Sequence, residues 1–502
     1  MNTHAVPRLL PPLTALVLMA LSIGAHAQPT TPAQWRQAAI QDIGEAVRIT
    51  RDNHPGMFDP ANPAFPANLD NAGKAGLALA ERVDGPGAYM AAVGRFNAAI
   101  GDGHAGMYAQ FPAAQKPKRR WPGFTTVWRR QGLFVYASEE GGPAPGARVV
   151  RCDGKPIEDI IRDNVFSFDG RVNEPGRWWS RARMVFLDTG NPFVKLPARC
   201  EFAQYGKTVA RDLAWKPEDA RTRALLDAGY NGQTLDVGLA EVRKGLFWVS
   251  MPTFAPDEGQ RDAYRAINRE VETQRQRFLK ADAVVIDLRQ NQGGSSFWGE
   301  HFAGALWGKE RVERRMDVRS ARTEVWWRAS RDNAKHVASF VETFTQENQV
   351  ENLDWARRNS AGMQAALAAG EKFYVEKSDS KTMTMDPEAD LPTDPPPFTR
   401  PVYVIVPGQC ASACLDALDV FTRFSNTILV GAPSSADSTY MEVRFQKVGS
   451  GLASVVIPTK MYVRRARANG QAYLPSIYVD DIAWTMVEFQ QAIEEDLARR
   501  AR

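Results

Sequence analysis

The sequence predicts an α/β protein, and three observations lead to this prediction. Residues 283–288 and 402–406 are short apolar runs rich in β-branched side chains, as in buried strands. Apolar residues at helical spacing occupy the chain before the first run and after the second. The 502 residues are 44% hydrophobic and 24% charged, a composition typical of a globular protein with one large core and one or two smaller domains.

Residues 1–27 have the features of a secretory signal peptide. Arg8 precedes an apolar run over residues 13–23, which ends in Ala25-His26-Ala27. The run is too short to span a bilayer, and the small residues favour cleavage before Gln28. An uncleaved membrane anchor is the alternative. Because no later apolar run approaches membrane-spanning length, we expect an exported protein without a stable membrane span, located in a bacterial periplasm.

The charge of the chain does not indicate binding to nucleic acid. The formal net charge is +4, and basic clusters such as residues 116–120 and Arg464-Arg465 are short and isolated, as on solvated surfaces. No C-x-x-C or H-E-x-x-H spacing occurs in the sequence. We therefore expect no metal and no other cofactor.

Four cysteines in an exported chain permit two disulfides. Cys152 and Cys200 fall in the same β-rich region, so we predict that they pair. Cys410 and Cys414 are four residues apart and lie within disulfide reach if Cys410 precedes a helix. Two buried free thiols are the alternative for this second pair.

Residues 28–118 are predicted to form an N-terminal helical domain. Thr31 and Gln34 form the capping-box pattern of a helix start. A later helix in this domain leads into a glycine-flanked loop that presents His104. Only four histidines lie outside residues 1–27, so His104 is a candidate general base. A solvated loop histidine is the alternative.

Residues 119–217 are rich in strand and turn signals and are predicted to form a β-rich module. A strand at residues 146–150 precedes the turn Asp153-Gly154, and Gly206-Lys207 marks a later hairpin. The order of these elements resembles a PDZ-like module without a clear carboxylate-binding loop. A peptide-binding module and a structural spacer are the two interpretations.

Residues 218–308 and 401–502 are predicted to form two parts of one α/β core, separated by an insertion at residues 309–400. The insertion has two amphipathic helical segments and ends in a proline-rich linker, as expected for a helical cap beside a cleft. In the first part of the core, Gly293-Gly294 follows a buried strand. Paired glycines allow backbone amides to approach a ligand closely, although they also occur in simple tight turns.

Ser412 lies where the second part of the core changes from strand to helix. Pro407-Gly408 ends the apolar run at residues 402–406, and helical spacing follows. The first N–H groups of a helix have no partner inside it. A hydroxyl held above them could attack a carbonyl while the N–H of Ala413 stabilises the developing oxyanion. The alternative is that Ser412 only caps the helix.

Three motifs in the chain occur in a recognisable order and spacing. They are Asp102-Gly103-His104, Asp287-Leu288-Arg289-x-Asn291-x-Gly293-Gly294 and Ala411-Ser412-Ala413. This combination resembles serine peptidase family S41, which contains the tail-specific or C-terminal processing proteases and relatives of the tricorn core proteases. The resemblance implies a crotonase/ClpP-like core with Ser412 as the nucleophile. It also implies an oxyanion hole formed by the backbone of Ala413, Gly293 and Gly294.

The expected base and its partner depart from the processing-protease pattern. Members of that group have a lysine about twenty-five residues after the serine, where this chain has Asp437. The tricorn-like branch uses a histidine from the N-terminal region, which His104 matches, and a glutamate near the C-terminus, which residues 469–475 lack. The candidates to orient His104 are therefore Asp102, Asp437 and Glu442. We favour Asp437, with Glu442 second, and a turn-capping role for Asp437 is the alternative.

Together these features predict an exported serine peptidase that hydrolyses peptide bonds in a peptide or protein substrate. Ser412 would be the nucleophile and His104 the base that takes its proton. Two other functions are the alternatives: hydrolysis of another ester or amide, and binding of a peptide or other ligand without catalysis.

Overall fold

The computed structural model describes residues 28–130, 132–346, 348, 350–376 and 398–502. The predicted signal peptide at residues 1–27 and the predicted proline-rich linker at residues 392–397 lie outside this range. None of the helices in the described residues has the length and apolar character needed to cross a membrane.

Three helices form the N-terminal region, as the sequence predicts. They are α1 (Pro32–Asn53), α2 (Phe65–Ala80) and α3 (Pro86–Ile100). The predicted capping box is present, because the Thr31 side chain accepts the N–H of Gln34 while the Gln34 side chain accepts the N–H of Thr31. The side chains that these helices bury pack around Ile43, Leu69 and Phe96.

A largely antiparallel β-rich module follows the N-terminal helices. The elements from residue 106 to residue 217 are β1 (Gly106–Ala109), β2 (Arg120–Trp121), β3 (Phe124–Arg129), β4 (Gly132–Ser138), β5 (Arg148–Cys152), β6 (Lys155–Pro156), α4 (Ile157–Ile161), α5 (Pro175–Arg181), β7 (Arg199–Gln204), β8 (Lys207–Asp212) and β9 (Lys216–Pro217). Strands β3-β4-β5-β7-β8 form the main sheet of the module, and β6 pairs with β5. A disulfide joins Cys152 and Cys200, which are opposite each other on β5 and β7.

The first part of the core and the insertion come next. Their elements are α6 (Ala220–Asn231), β10 (Gly238–Arg243), β11 (Leu246–Ser250), α7 (Glu258–Thr273), α8 (Arg275–Leu279), β12 (Ala283–Asp287), α9 (Phe297–Trp307), α10 (Lys309–Ser320), β13 (Glu324–Arg328), α11 (Arg331–Gln346), α12 (Val350–Ala368) and β14 (Phe373–Val375).

The second part of the core completes the chain. Its elements are β15 (Val402–Val406), α13 (Ala413–Phe421), β16 (Thr427–Gly431), β17 (Tyr440–Lys447), β18 (Ala453–Val463), β19 (Ile477–Tyr478) and α14 (Met486–Arg500).

The central sheet has the strand order β10-β11-β12-β15-β16-β19, and all its pairs except β10-β11 are parallel. Strands β12 and β15 are neighbours in the middle, and every residue of both is buried. Strands covered on both faces read as continuous apolar runs, which is why the sequence identifies them. Because the carboxyl ends of parallel strands meet at one edge, the Gly293-Gly294 turn and the Ser412 turn come together there.

A second sheet joins the two ends of the chain. Its order is β1-β18-β13-β14, and β17 also pairs with β18. The N-terminal helices share one hydrophobic core with this sheet, in which Ile43 and Phe96 meet Val455 and Ile457. Since β1 begins two residues after His104, its pairing with β18 fixes the His104 loop against the second part of the core.

The described part of the insertion contains α10, the strands β13 and β14 of this second sheet, and a helical hairpin formed by α11 and α12. Helices α11 and α12 pack together through a small cluster that includes Trp327, Val337 and Met363. The Ser330 hydroxyl donates to Asn53 Oδ1 at 2.7 Å, so the hairpin adjoins the C-terminal end of α1. These contacts place it near the His104 loop, and a cap over Ser412 stays a prediction.

Candidate active site

Ser412 occupies a strained turn between β15 and α13. Its backbone angles are φ 54° and ψ −128°, a conformation that favours glycine and costs a serine about 1–3 kcal/mol. Although Ser412 is the residue immediately before α13, its side chain makes no capping hydrogen bond to the helix. The hydroxyl is therefore left for another purpose, and the interpretation of Ser412 as a mere helix cap is not realised.

Two groups hold the Ser412 turn in this conformation. The N–H of Ser412 donates to Asp437 Oδ2 at 2.6 Å. A disulfide joins Cys410 and Cys414, whose Cα atoms are 5.3 Å apart, and so brackets the serine in the chain. Both contacts restrict the backbone on either side of the strained residue.

Two backbone amides beside Ser412 have no hydrogen-bond acceptor among the described residues. They are the N–H groups of Ala413, at the start of α13, and of Gly294. The N–H of Gly293 differs, because it donates to Asn291 Oδ1 at 2.8 Å. Of the three predicted oxyanion donors, the backbone of Ala413 and Gly294 is therefore available, whereas the amide of Gly293 is engaged.

Gly293 has a different part in the site, which is to leave space. Its φ is 104°, and a Cβ at this position would lie 2.9 Å from Ser412 Cβ and 3.2 Å from the nitrogen of Ala413. Such an atom would fill the volume next to Ser412 and the amide of Ala413. The glycine is thus required both by its backbone conformation and by the close approach.

The polar residues of the Asp287–Asn291 stretch build the turn that carries these glycines. Asp287 and Arg289 are fully buried and form an ion pair at 2.8 Å. Arg289 also donates to the carbonyl of Trp484, while Asn291 Nδ2 donates to the carbonyl of Met251. With their hydrogen bonds made inside the protein, these side chains position the backbone and are not free to contact a substrate.

The His104 loop is organised by Asp102. One carboxylate oxygen, Oδ1, accepts the N–H of His104 at 3.0 Å and the Ser438 hydroxyl at 2.7 Å. The other, Oδ2, lies 2.9 Å from Nε2 of His54, which is fully buried. The N–H of Gly56 donates to Nδ1 of His54, so Nε2 of this imidazole carries the proton that Asp102 accepts.

The pKa values of this pair follow from burial and from the hydrogen bond. Burial lowers the pKa of His54, although the charge and hydrogen bond of Asp102 oppose the shift, so the imidazole is neutral at pH 7. Burial would raise the pKa of Asp102, but hydrogen bonds from His54 and from the backbone of His104 outweigh it and keep the pKa low. Asp102 is therefore a carboxylate at neutral pH.

Adjacent residues tether the histidine loop and the serine turn to each other. Asp437 accepts the N–H of Ser412, and Ser438, the next residue, donates to Asp102, which accepts the N–H of His104. The Ser412 turn and the His104 loop are therefore linked through residues 437, 438 and 102. Nδ1 of His104 is buried and has no hydrogen-bond partner among the described residues.

The two favoured carboxylates lie in different places. Asp437 contacts the backbone of Ser412 and lies 3.8 Å from Nη1 of the buried Arg467, which also binds Asp416 and Asp419. Its nearest partner is thus the nucleophile turn, as the residue spacing suggests, and not the imidazole.

Glu442 lies on β17 with φ 57° and forms an ion pair with Lys460 at 3.7 Å. It also faces His336 on α11, whose pKa burial lowers while the Glu442 charge opposes the change. The ion pair with Lys460 is therefore the direct side-chain contact that the structure gives for Glu442, and orientation of His104 by Glu442 stays a prediction.

Sequence reasoning missed two contributors, His54 and Ser438. Both bind Asp102, from 48 and 336 residues away along the chain. The contact from the N–H of His104 to Asp102 is a common turn motif that the sequence could have indicated. That motif gives no sign of His54 or Ser438. No group of His, Cys, Asp and Glu side chains suited to a metal ion occurs in the part of the chain that the structure describes.

Comparisons with known proteins identify a sequence family and a fold. Residues 248–477 match the sequence model of peptidase family S41. The solved structure of mature CPAF matches 92% of this chain and 98% of its own chain with a TM-score of 0.59 at 12% sequence identity. Mature CPAF complexed with lactacystin matches 92% of this chain and 97% of its own, with the same TM-score of 0.59 and 12% identity. At this identity the likeness establishes the fold. No curated protein sequence matches the chain significantly.

Proposed function

Because the chain belongs to peptidase family S41 and is a serine-type peptidase, we propose that Ser412 is its nucleophile and His104 its general base. The observation that carries this proposal is the Ser412 turn. A strained serine without a capping bond lies beside two amides that have no acceptor among the described residues, those of Ala413 and Gly294. Such an arrangement serves acyl transfer, in which an oxyanion forms next to the nucleophile.

The reaction follows from these positions. The Ser412 hydroxyl attacks the carbonyl carbon of a peptide bond and passes its proton to His104. The N–H groups of Ala413 and Gly294 stabilise the negative charge that develops on the carbonyl oxygen. His104 then returns the proton to the leaving amine, and a water molecule hydrolyses the acyl-enzyme by the same steps in the second half of the reaction.

We assign Asp102 and Asp437 as positioning residues. The contact from Asp102 to the N–H of His104 supports a role in holding the base through its loop. The contact from Asp437 to the N–H of Ser412 supports a role in holding the nucleophile turn, in place of the role of orienting His104. The contacts of Glu442 with Lys460 support a structural role for that residue.

The substrate is a peptide or protein, since the chain is a peptidase. Export through residues 1–27 would bring the enzyme to the periplasm, where cysteines can form disulfides. The antiparallel module at residues 119–217 packs against α6 and the core and is proposed as a PDZ-like accessory module. Its sequence has no clear carboxylate-binding loop, so we do not assign it the binding of a chain terminus.

Labelling with a fluorophosphonate probe tests the proposal. We expect the wild-type protein to be labelled and the Ser412→Ala variant to lose both labelling and peptide hydrolysis, with an unchanged circular dichroism spectrum. His104→Gln should lower turnover by about a hundredfold or more, as expected for the loss of a general base. Ser339→Ala, which changes an exposed serine on α11, is the matched control and should behave as wild type.

Each contrary outcome has a definite meaning. Labelling at Ser412 without hydrolysis of any peptide in a substrate library would indicate another ester or amide as substrate. A folded wild-type protein that is not labelled would indicate a binding protein without catalysis. Full turnover by His104→Gln would contradict the assignment of the base.

A further inference from the structure

Two adjoining cavities lie between the β-rich module and the rest of the molecule. The first has a volume of about 960 Å³ and is bounded by β3, α4 and α5 on one side and by the ends of β16 and β19 on the other. The second has a volume of about 540 Å³ and lies between α3 and residues 162–173. They share Arg162, Val172 and Asn173 as a common wall, so we treat them as one cleft, the arginine cleft.

Positive charge is concentrated on the lining of the arginine cleft. Its described lining contains six arginines and two carboxylates, which gives four net positive charges; the charged residues are Arg95, Arg129, Arg130, Arg148, Arg162, Arg171, Glu158 and Asp480. The formal net charge of the whole chain is also +4. The remainder of the chain is therefore neutral on balance, and the cleft carries the excess.

Some of these arginines are already engaged within the protein. Arg129 is buried and donates to the carbonyls of Trp128, Gly229, Asp481 and Ile482, and burial lowers its pKa to about 9. Arg130 is paired with Asp480, Arg148 with Glu158, and Arg171 with Glu174. These contacts fix the walls of the cleft and reduce its capacity to attract an anion.

Arg95 and Arg162 are different, because neither has a carboxylate partner among the described residues. Arg95 donates only to the carbonyl of Ser167, at 3.2 Å. The guanidinium of Arg162 lies 5.0 Å above the ring of Trp178, and the residue is exposed. One lines the second cavity and the other the shared wall, so two unneutralised cations stand at separate points along the cleft.

We propose that the arginine cleft binds an extended, acidic segment of the polypeptide substrate, whose aspartate and glutamate side chains contact the arginines. This inference rests on the proposed peptidase function. Two separated cations require more than one carboxylate, which side chains along a segment provide and a single chain terminus does not. The apolar surface of Val172, Pro175 and Trp178 in the same lining suits apolar residues between the acidic ones.

Trp178, one of the aromatic residues of the cleft, is poorly placed to stack on a nucleic-acid base. Unpaired bases bind by stacking on free aromatic faces. Arg162 covers Trp178, and Trp128 and Phe166 pack against the same ring with centroid distances of 4.7 and 4.8 Å. These contacts reduce the ring surface that a base could stack on, and the oligonucleotide in the test below examines the exposed Tyr478 of the same lining.

The cleft also leads to the catalytic loops. Arg171, at the end of the second cavity, donates to the carbonyl of Ala436 at 2.8 Å, next to Asp437. Its guanidinium also lies against Gly103, where an added Cβ would be 2.7 Å from Nη1. A segment bound in the cleft would thus lie beside the loops that carry His104 and Ser412, and we expect substrates with acidic stretches to be preferred.

Fluorescence anisotropy with the full-length Ser412→Ala protein tests this inference without cleavage of the probe. The probe is a fluorescein-labelled decapeptide of alternating glutamate and leucine with an amidated C-terminus, and the comparison peptide has glutamine in place of glutamate. We expect the glutamate peptide to bind at least about tenfold more tightly than the glutamine peptide, because glutamine cannot form the charge-assisted hydrogen bonds. Added salt should weaken binding of the glutamate peptide.

A charge reversal and its matched control complete the experiment. Arg162→Glu should raise the Kd of the glutamate peptide by about tenfold or more, because it replaces attraction by repulsion. Arg36→Glu makes the same change on the exposed face of α1, away from the cleft, and should alter the Kd by less than about twofold.

Four results would overturn the inference. They are equal affinities for the two peptides, equal effects of Arg162→Glu and Arg36→Glu, binding that requires a free C-terminal carboxylate, and tighter binding of a single-stranded oligonucleotide. Since the measurement uses a protein without the Ser412 hydroxyl, its outcome does not depend on whether Ser412 is the nucleophile. Failure of the cleft and failure of the catalytic proposal are therefore distinguishable.

Discussion

Gly293 and Ser412 show how single residues determine the geometry of this site. Both have positive φ angles, and they approach each other so closely that a Cβ on Gly293 would lie 2.9 Å from Ser412 Cβ and 2.7 Å from the carbonyl oxygen of Ala411. The glycine pair after the buried strand therefore provides space next to Ser412, the proposed nucleophile. The N–H of Gly293 itself donates to Asn291 Oδ1.

We expect Gly293→Ala to lower kcat/KM by about a hundredfold or more, because displacement of the nucleophile by a fraction of an ångström costs that much. The control is Gly141→Ala, since Gly141 also has a positive φ, 77°, but an added Cβ there meets nothing within 4 Å. Both variants carry backbone strain, so only the close approach at Gly293 separates them. Equal activities would contradict the assigned role.

The two predicted carboxylates can be separated by amide substitutions. Asp437→Asn keeps the shape of the side chain but removes the charge that faces Arg467 and accepts the N–H of Ser412. We expect kcat to fall by about tenfold or more, with little change in the melting temperature. The corresponding substitution of the second carboxylate, Glu442→Gln, should change kcat by less than about twofold. An inactive Glu442→Gln and a fully active Asp437→Asn would reverse these assignments.

The residues that could be predicted at the site are those with a local signal. Ser412, Ala413 and the glycine pair follow buried strands, and His104 follows a helix in a glycine-flanked loop. The roles of His54 and Ser438 could not be predicted, because both depend on Asp102, to which the chain returns only after folding. Local pattern carries no information about such distant contacts.

At the scale of elements, the apolar strands were predicted closely. Strand β15 begins and ends at the predicted residues, and β12 ends one residue earlier than expected. Strands that are buried on both faces leave an uninterrupted apolar run in the sequence. Short strands such as β2, β6 and β9 are two residues each, too short for any periodicity, and were not predicted.

The two disulfides link elements in different ways, and we expect different consequences of their removal. The Cys152–Cys200 bond closes a loop with a sequence separation of 48 residues, whereas Cys410–Cys414 closes one of 4. In the chain-entropy model the longer loop contributes roughly 4 kcal/mol to the free energy of unfolding and the shorter roughly 2 kcal/mol. Replacing each pair by alanine and measuring urea unfolding tests this order.

Activity should show the reverse order. Loss of the Cys410–Cys414 bond loosens the backbone around Ser412 and should lower kcat, while loss of the Cys152–Cys200 bond in the β-rich module should not. Intact-mass measurement of the exported protein after alkylation without reductant should find no alkylated cysteine, because all four are in disulfides. Four alkylated cysteines would show that neither bond forms.

At the scale of the whole molecule, the N-terminal helices share one hydrophobic core with strands β17 and β18. The N-terminal helices pack on β17 and β18, and β1 pairs with β18 more than 340 residues later in the chain. The sequence predicts a separate N-terminal helical domain, because its local pattern contains no sign of this pairing. The shared core fixes the loop of the proposed base, His104, against the part of the chain that carries the proposed nucleophile, Ser412.

The buried His54 couples this arrangement to pH. Burial keeps its folded-state pKa below the ordinary value of 6.5, despite the opposing charges of Asp102 and Asp59. As the pH falls through 6.5, the unfolded chain takes up a proton that the folded protein does not. The free energy of unfolding therefore decreases below about pH 6.5, by up to about 1.4 kcal/mol per pH unit for each such histidine.

His336, whose pKa burial also lowers, provides a matched control for His54. We expect His54→Gln and His336→Gln each to reduce the slope of the unfolding free energy between pH 6.5 and 5, as measured by urea denaturation at a series of pH values. Only His54→Gln should also lower kcat at pH 7, because His54 holds Asp102 and Asp102 holds the backbone of His104. An unchanged pH slope in His54→Gln would show that this imidazole is not kept neutral by burial. An unchanged kcat with a reduced slope would limit His54 to stability and leave Ser438 as the partner that positions Asp102.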